Sequence, residues 1–272
     1  MDVREYGDPK GETLLFVHGA GLNGGEWSRI AEDLADFHCL CPDLPGHGAN
    51  RAATFSIDGS VGQLAAIAEE YGRGKKVNVV GHSLGGAVVL TFLGRHADLV
   101  NKTIITGSSG ELKRWMVELS MPLFGILKLF SDEKLVRMTF SQHRIPMEYY
   151  DLFHDDLARS NDAGFLKTIY TELVGFRMPE SISCPLLVCA GEKESGAAKA
   201  YGQISLRPFH RYETAEGVLM PDGSHAWPLQ YPRIFAEMTR SWIRGGELPR
   251  ELIRLTKREP ASGEKPRRAA AS

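Results

Sequence analysis

The stretch Val77-Asn78-Val79-Val80-Gly81-His82-Ser83-Leu84-Gly85-Gly86 constrains this chain more than any other. A short β-rich apolar run leads directly into Gly-x-Ser-x-Gly, and the apolar residues Ala87 to Leu93 follow at once. This pattern predicts a strand, a tight turn and a helix, with Ser83 at the apex in a strained backbone conformation. Strand and helix must pass close together at such a turn. Gly81 and Gly85 carry no side chain to obstruct that approach. The new helix aims its N-terminus at the apex, which favours negative charge developing there.

The remaining segments alternate strand and helix signals around this turn. Thr13 to Val17, Phe37 to Cys41, Lys76 to Val80, Asp98 to Thr106, Cys184 to Ala190 and Tyr212 to Met220 read as strands, several of them apolar throughout, as strands buried on both faces are. Asp2 to Tyr6 and Thr13 to Val17, joined through Asp8-Pro9 and Gly11, read as a hairpin. Helices are expected over Ser56 to Tyr71, Ala197 to Ile204 and Pro232 to Ile243, with one more short helix over Leu248 to Leu255. From Gly107 to about Ser183 the alternation breaks. Helices are expected there over Glu111 to Leu119, Gly125 to Phe130, Asp132 to Phe140, Met147 to Ser160 and Gly164 to Phe176. This segment is rich in aromatics and methionine, which suits either an ordinary helical core or the apolar inner face of a lid. Lys257 to Ser272 has few apolar residues to bury and is expected to be a disordered tail.

Two loops carry further chemistry. His18-Gly19-Ala20-Gly21-Leu22-Asn23-Gly24-Gly25 follows a strand and lets the backbone approach a ligand. It lacks the Gly-Lys-Ser/Thr ending of a phosphate-binding loop, so donation of a backbone N–H to an oxyanion is the preferred role. Asp43 and His47 suggest a metal pair at first sight, but two prolines and two glycines around them favour a rigid structural turn.

The totals exclude other classes. A 272-residue chain suffices for one large α/β domain, and a formal net charge of −2 offers nothing to nucleic acid or an anionic membrane. No apolar run approaches the length of a membrane span. Cys39, Cys41, Cys184 and Cys189 lie in or beside buried strands, and no Cys/His spacing fits zinc. Free core thiols and an N-terminus without an apolar leader are expected of a cytoplasmic protein.

The order of these segments resembles the α/β-hydrolase superfamily. The match covers roughly residues 2 to 245 and rests on His18-Gly19-Ala20-Gly21, Asp43 to Gly48, Gly81 to Gly86, the acidic loop at Gly191 and Gly223-Ser224-His225. The resemblance implies a mostly parallel sheet flanked by helices, a core of residues 1–107 and 184–246, and an inserted helical cap of residues 108–183. It implies the chain order Ser, acid, His. Ser83 is then the nucleophile and His225 the base. The family's acid loop is Gly-x-x-Asp, and here it reads Gly191-Glu192-Lys193-Glu194. Glu194 stands at the acid position, one methylene longer than Asp. Glu192 beside it, and Glu111 after the preceding strand, are the alternatives. The backbone N–H groups of Ala20 and Leu84 correspond to the oxyanion hole. No metal or other cofactor is implied.

A serine at the turn sets the chain apart from branches of the superfamily that use aspartate there. The implied activity is hydrolysis of an ester or thioester of a small apolar substrate. Lactone or carbon–carbon cleavage, cofactor-free perhydrolysis and acyl transfer use the same residues. A small-molecule receptor on this fold is the non-enzymatic alternative.

Overall fold

The computed structural model describes residues 3–108, 110–112, 114, 115, 118, 130–159, 162–194 and 207–255. Its centre is an eight-stranded sheet: β1 (Val3–Gly7), β2 (Glu12–Val17), β3 (Phe37–Pro42), β4 (Val77–His82), β5 (Val100–Thr106), β6 (Leu186–Gly191), β7 (Ala215–Met220) and β8 (Ile253–Leu255). The spatial order is β1-β3-β2-β4-β5-β6-β7-β8. The six inner strands are parallel, and β1 and β8 close the edges antiparallel to β3 and β7. Around the sheet lie α1 (Ser28–Glu32), α2 (Ile57–Gly72), α3 (Leu84–Arg95), α4 (Asp132–His143), α5 (Tyr150–Arg159), α6 (Ala163–Gly175), α7 (Trp227–Gln230) and α8 (Pro232–Arg244).

Period-two alternation divides each inner strand between two cores. Leu15 and Val17 of β2, with Leu186, Val188 and Ala190 of β6, face α2 and α3. Leu14, Phe16, Cys39, Cys41, Leu187 and Cys189 face α1 and α8. The four cysteines are free and buried.

Two expectations are corrected. The first two strands do not form a hairpin. β2 is buried along Leu14–Val17 and lies between β3 and β4, whereas the half-exposed, charged β1 takes the edge beside β3. A strand apolar on both faces belongs inside the sheet, and a polar one serves as its border. The short helix expected over 248–255 ends instead in β8. Ile253 and Leu255 fall at period two, pack against the core, and cover the edge that β7 otherwise presents. The helices expected over 111–119 and 125–130 fall largely outside the described residues. The helix over 197–204 and the tail over 257–272 fall wholly outside them.

α4 and α5 share a third apolar cluster with two loops of the core. Val136, Phe140, Tyr149, Phe153 and Leu157 pack with Leu22, Ala226 and Leu229. No helix among the described residues is long and apolar enough to cross a membrane.

The turn after β3 is organised by one buried carboxylate. Asp43 pairs with Arg4 and accepts from the N–H groups of Gly24 and Ala49, each at 2.7 Å. Burial alone raises its pKa, but these donors and Arg4 outweigh that and hold it below the usual carboxylate range. His47 donates through Nδ1 to the Pro45 carbonyl at 3.0 Å. Asp43→Ala leaves the buried Gly24 N–H, the Ala49 N–H and Arg4 without this acceptor. It is expected to lower unfolding free energy by about 3 kcal/mol in urea titration.

Candidate active site

β4 ends at His82 and α3 begins at Leu84, so Ser83 alone makes the turn. Its backbone sits at φ 52°, ψ −112°, a conformation that few non-glycine residues adopt. Neighbouring bonds fix it there. The Ser83 N–H donates to the Thr106 carbonyl at 2.9 Å, and the Gly86 N–H donates to the Ser83 carbonyl at 3.0 Å. Gly85 is pressed onto β2. A Cβ there would lie 2.3 Å from the Val17 carbonyl oxygen and 2.7 Å from that of His18. The loop through Gly19 and Ala20 therefore borders the start of α3, where Leu84 sits.

The loop following β7 brings His225 to the same end of the sheet. Trp227 donates through its indole N–H to Thr106 Oγ1 at 2.8 Å, tying this loop to the residue that also receives the Ser83 N–H. The His82 Nε2 donates to the His225 carbonyl at 3.1 Å. Gly107, at φ 62°, gives the His225 ring room, since a Cβ there would fall 2.9 Å from its Cε1. Ser83 and His225 are thus anchored through shared neighbours, His82 and Thr106.

The three carboxylates left open by the sequence occupy different surroundings. Glu194 is 4% exposed and its Oε2 lies 3.7 Å from His225 Nδ1, with Oε1 accepting from the Gly191 N–H at 3.4 Å. Glu192 is exposed and accepts from the Asp222 N–H at 3.4 Å. Glu111 accepts from the Met178 N–H at 3.0 Å. Among these, Glu194 is the carboxylate paired with the His225 ring. The 3.7 Å separation lies within ion-pair range and exceeds a hydrogen bond.

Sequence reading passed over three residues at this centre. His82 and Glu26 are fully buried and meet at 2.5 Å through Nδ1 and Oε1, an ion pair off the ideal hydrogen-bond line. Burial opposes charge on His82, but the Glu26 carboxylate outweighs it and raises the histidine pKa. His143, at the end of α4, places its ring 5.4 Å from that of His225. Burial, then the nearby His225 and His82, push the His143 pKa down to about 4. His82 was visible inside its motif, but nothing in the periodicity marks Glu26 or His143, which arrive from distant segments.

Two more neutral histidines brace the neighbouring loops. His18 donates through Nδ1 to the Gly19 carbonyl at 2.8 Å and accepts from the Leu44 N–H at 2.9 Å. Burial lowers its pKa. Burial and then His18 push that of His47 down to about 3. No group of three or more His, Cys, Asp or Glu among the described residues is arranged to hold a metal. A surface groove of about 890 Å³ lies elsewhere, among Asp58, Arg95, Glu172 and Arg177.

Comparison with known proteins places the chain. A model of the alpha/beta hydrolase family matches residues 14–238, and the chain belongs to that family. An AB hydrolase superfamily protein of Gibberella zeae is 28% identical over 248 residues, which span 89% of this chain and 83% of the relative. Lipase LipV of Mycobacterium tuberculosis is 37% identical over 106 residues, spanning 39% of this chain and 40% of the lipase. The solved structure of an esterase from Exiguobacterium antarcticum superposes with a TM-score of 0.73 at 15% identity, covering 89% of this chain and 94% of the esterase.

The lowered histidines make stability depend on pH. A group whose folded pKa lies below its unfolded value of 6.5 stabilises the fold above that value, and the contribution is lost as pH falls. Between pH 6.5 and 5, His47 and His143 are each expected to withdraw about 2 kcal/mol. His82, shifted upward, keeps its contribution throughout this window. Calorimetry should record a falling Tm from pH 6.5 to 5, and His47→Asn should flatten that slope.

Proposed function

We propose that this chain is a serine hydrolase of carboxylic esters, with Ser83 as nucleophile, His225 as general base and Glu194 as the acid. One observation carries this reading: Ser83 stands at φ 52° on the β4–α3 turn, while the buried Glu194 faces Nδ1 of the histidine anchored beside it. A serine hydroxyl is a weak nucleophile at neutral pH. His225 Nε2 takes its proton as Oγ bonds to the ester carbonyl carbon. Glu194 holds the tautomer in which Nδ1 carries hydrogen, and it stabilises the imidazolium that forms. The N–H groups of Leu84 and Ala20 receive the tetrahedral oxyanion, each donor contributing about 3 kcal/mol. The imidazolium protonates the departing alcohol. Water, activated by the same histidine, then releases the acid from Ser83.

Helices α4 to α6 act as a cap over the site in this proposal. The cluster that α4 and α5 share with Leu22 and Ala226 supports it, because those residues belong to the oxyanion and histidine loops. The apolar character of that cluster favours an apolar acyl or aryl substrate. The lipase and esterase names among the similar proteins agree with ester chemistry.

Hydrolysis of p-nitrophenyl esters of graded acyl length tests the assignment. Ser83→Ala is expected to lower kcat about 10⁴-fold or more with Tm retained. Undiminished turnover in that variant would refute the nucleophile. Glu194→Gln should lower kcat by about 10²- to 10⁴-fold, whereas Glu192→Gln and Glu111→Gln should stay within about twofold. An equal loss in all three variants would remove Glu194 from the mechanism.

A further inference from the structure

Three segments far apart in the chain meet at the buried imidazole of His82. Its Nε2 lies 3.1 Å from the carbonyl oxygen of His225. Its Nδ1 lies 2.5 Å from Glu26 Oε1. A carbonyl oxygen only accepts, and so does an ionised carboxylate, so with Glu26 ionised both ring nitrogens carry hydrogen. The second carboxylate oxygen of Glu26 accepts from the Gly19 N–H at 3.0 Å, one residue before Ala20. Glu26 and His82 are each fully buried or nearly so, at 0% and 2% exposure.

The ring packs closely on the backbone of two glycines. A Cβ on Gly19 would lie 3.1 Å from its Nδ1, and one on Gly107 would lie 3.1 Å from its Cδ2. Trp27 meets it edge-on at 6.5 Å between centroids, and the His225 ring stands 4.9 Å away. Apolar side chains could fill this volume, but they would strand the Gly19 N–H and lose the donor to the His225 carbonyl. The pair therefore does positional service that simple packing does not.

We propose that Glu26 and His82 are positioning residues: a buried carboxylate–imidazolium pair that fixes the His225 peptide and the Gly19–Ala20 loop together, and whose positive end opposes protonation of the His225 ring. This inference rests on the reading of Ser83 and His225 as the hydrolytic centre. The ionisable groups facing the two rings are Glu26, Glu194 and His143, with His18 on the far side of Glu26. Of these, the His82 imidazolium is the nearest cation to His225, so its loss favours the protonated base. Glu26 is farther from His225, shielded behind the His82 ring.

Glu26→Gln is the direct test, because the amide matches the carboxylate in shape. Its oxygen still accepts from Gly19, and its NH2 group donates to a now neutral His82 Nδ1. Two measurements are made on the full chain. The first is nitrogen-15 NMR of the histidine rings at pH 7.5. Two ring protons on His82 are expected in the wild type and one in Glu26→Gln. The second is the rate at which a fluorophosphonate probe reacts with Ser83, followed by intact mass from pH 5 to 9, with Ser83→Ala as the blank. Glu26→Gln is expected to react about tenfold more slowly at pH 7, with the acid limb of its profile displaced to higher pH. Glu26→Asp, which keeps the charge, should recover most of the rate and return the limb toward the wild-type position. If Glu26→Gln does not fold, His82→Gln carries the same profile measurement, since its amide still offers a donor to His225 without the charge.

A neutral His82 in the wild type overturns the proposal, as does an unchanged pH profile in both Gln variants. An equal loss in Glu26→Asp and Glu26→Gln would mean that shape, not charge, matters, and also overturns it. A folded wild type that resists the probe overturns the hydrolytic reading instead. The ring-proton count then still decides whether the charged pair exists.

Discussion

A single backbone conformation makes demands on everything around it. Ser83 at φ 52° and ψ −112° costs about 1–3 kcal/mol relative to a relaxed residue, and it persists only where the surroundings over-determine it. Here the surroundings are β5, β2 and the first turn of α3. Thr106 receives the Ser83 N–H, Ser83 receives the Gly86 N–H, and Gly85 lies against the carbonyls of Val17 and His18. The sheet must be parallel at this point, because only then do the loops after β2, β4, β5, β6 and β7 emerge at the same edge. Strain at one residue, close approach at another and strand direction throughout are one connected requirement.

The second organising theme is the handling of buried imidazole. Around this edge, His18 and His47 are kept neutral by burial and used as hydrogen-bonding struts for loop backbone. His82 is the opposite case, because Glu26 shares its burial. His143 is neutral partly because His82 and His225 lie close. The same side chain thus takes different protonation states within one region, and the difference comes from whether a carboxylate is within reach. Asp43 and Glu26 each join core loops, Asp43 linking β1 to the turns at Gly24 and Ala49, and Glu26 linking Gly19 to the nucleophile turn.

Much of this was legible in the sequence because the relevant signals are local. The apolar run ending in Gly-x-Ser-x-Gly locates β4, the turn and α3 within a residue or so. Continuous burial of Leu14–Val17 follows from composition alone. The edge strands were harder. Val3–Gly7 and Ile253–Leu255 are short, partly exposed stretches whose conformation is set by the neighbour they border, so local pattern misassigned the partner of one and the type of the other. The acid position shows the same divide. Sequence spacing offered Glu194, Glu192 and Glu111, and only burial and direction separate the one facing His225 from the one beside Asp222 and the one holding the Met178 amide. Glu26 escaped notice altogether, since a lone acidic residue in a turn ordinarily faces water.

The apolar cluster shared by α4, α5 and the loops at Leu22 and Ala226 bears on modularity. Segments inserted between core strands are natural units for exchange among relatives, as each enters and leaves at neighbouring points. Here the insert is not self-contained. Phe140, Tyr149 and Phe153 complete their packing with side chains that belong to the core, and Asp156 bonds Asn23 at 2.8 Å and the Gly48 N–H at 3.1 Å. A recombined protein that imports this insert without residues 22, 23, 226 and 229 would inherit helices lacking part of their interior. The functional unit of inheritance is therefore the insert together with the two loops beneath it, a unit scattered along the chain but continuous in space.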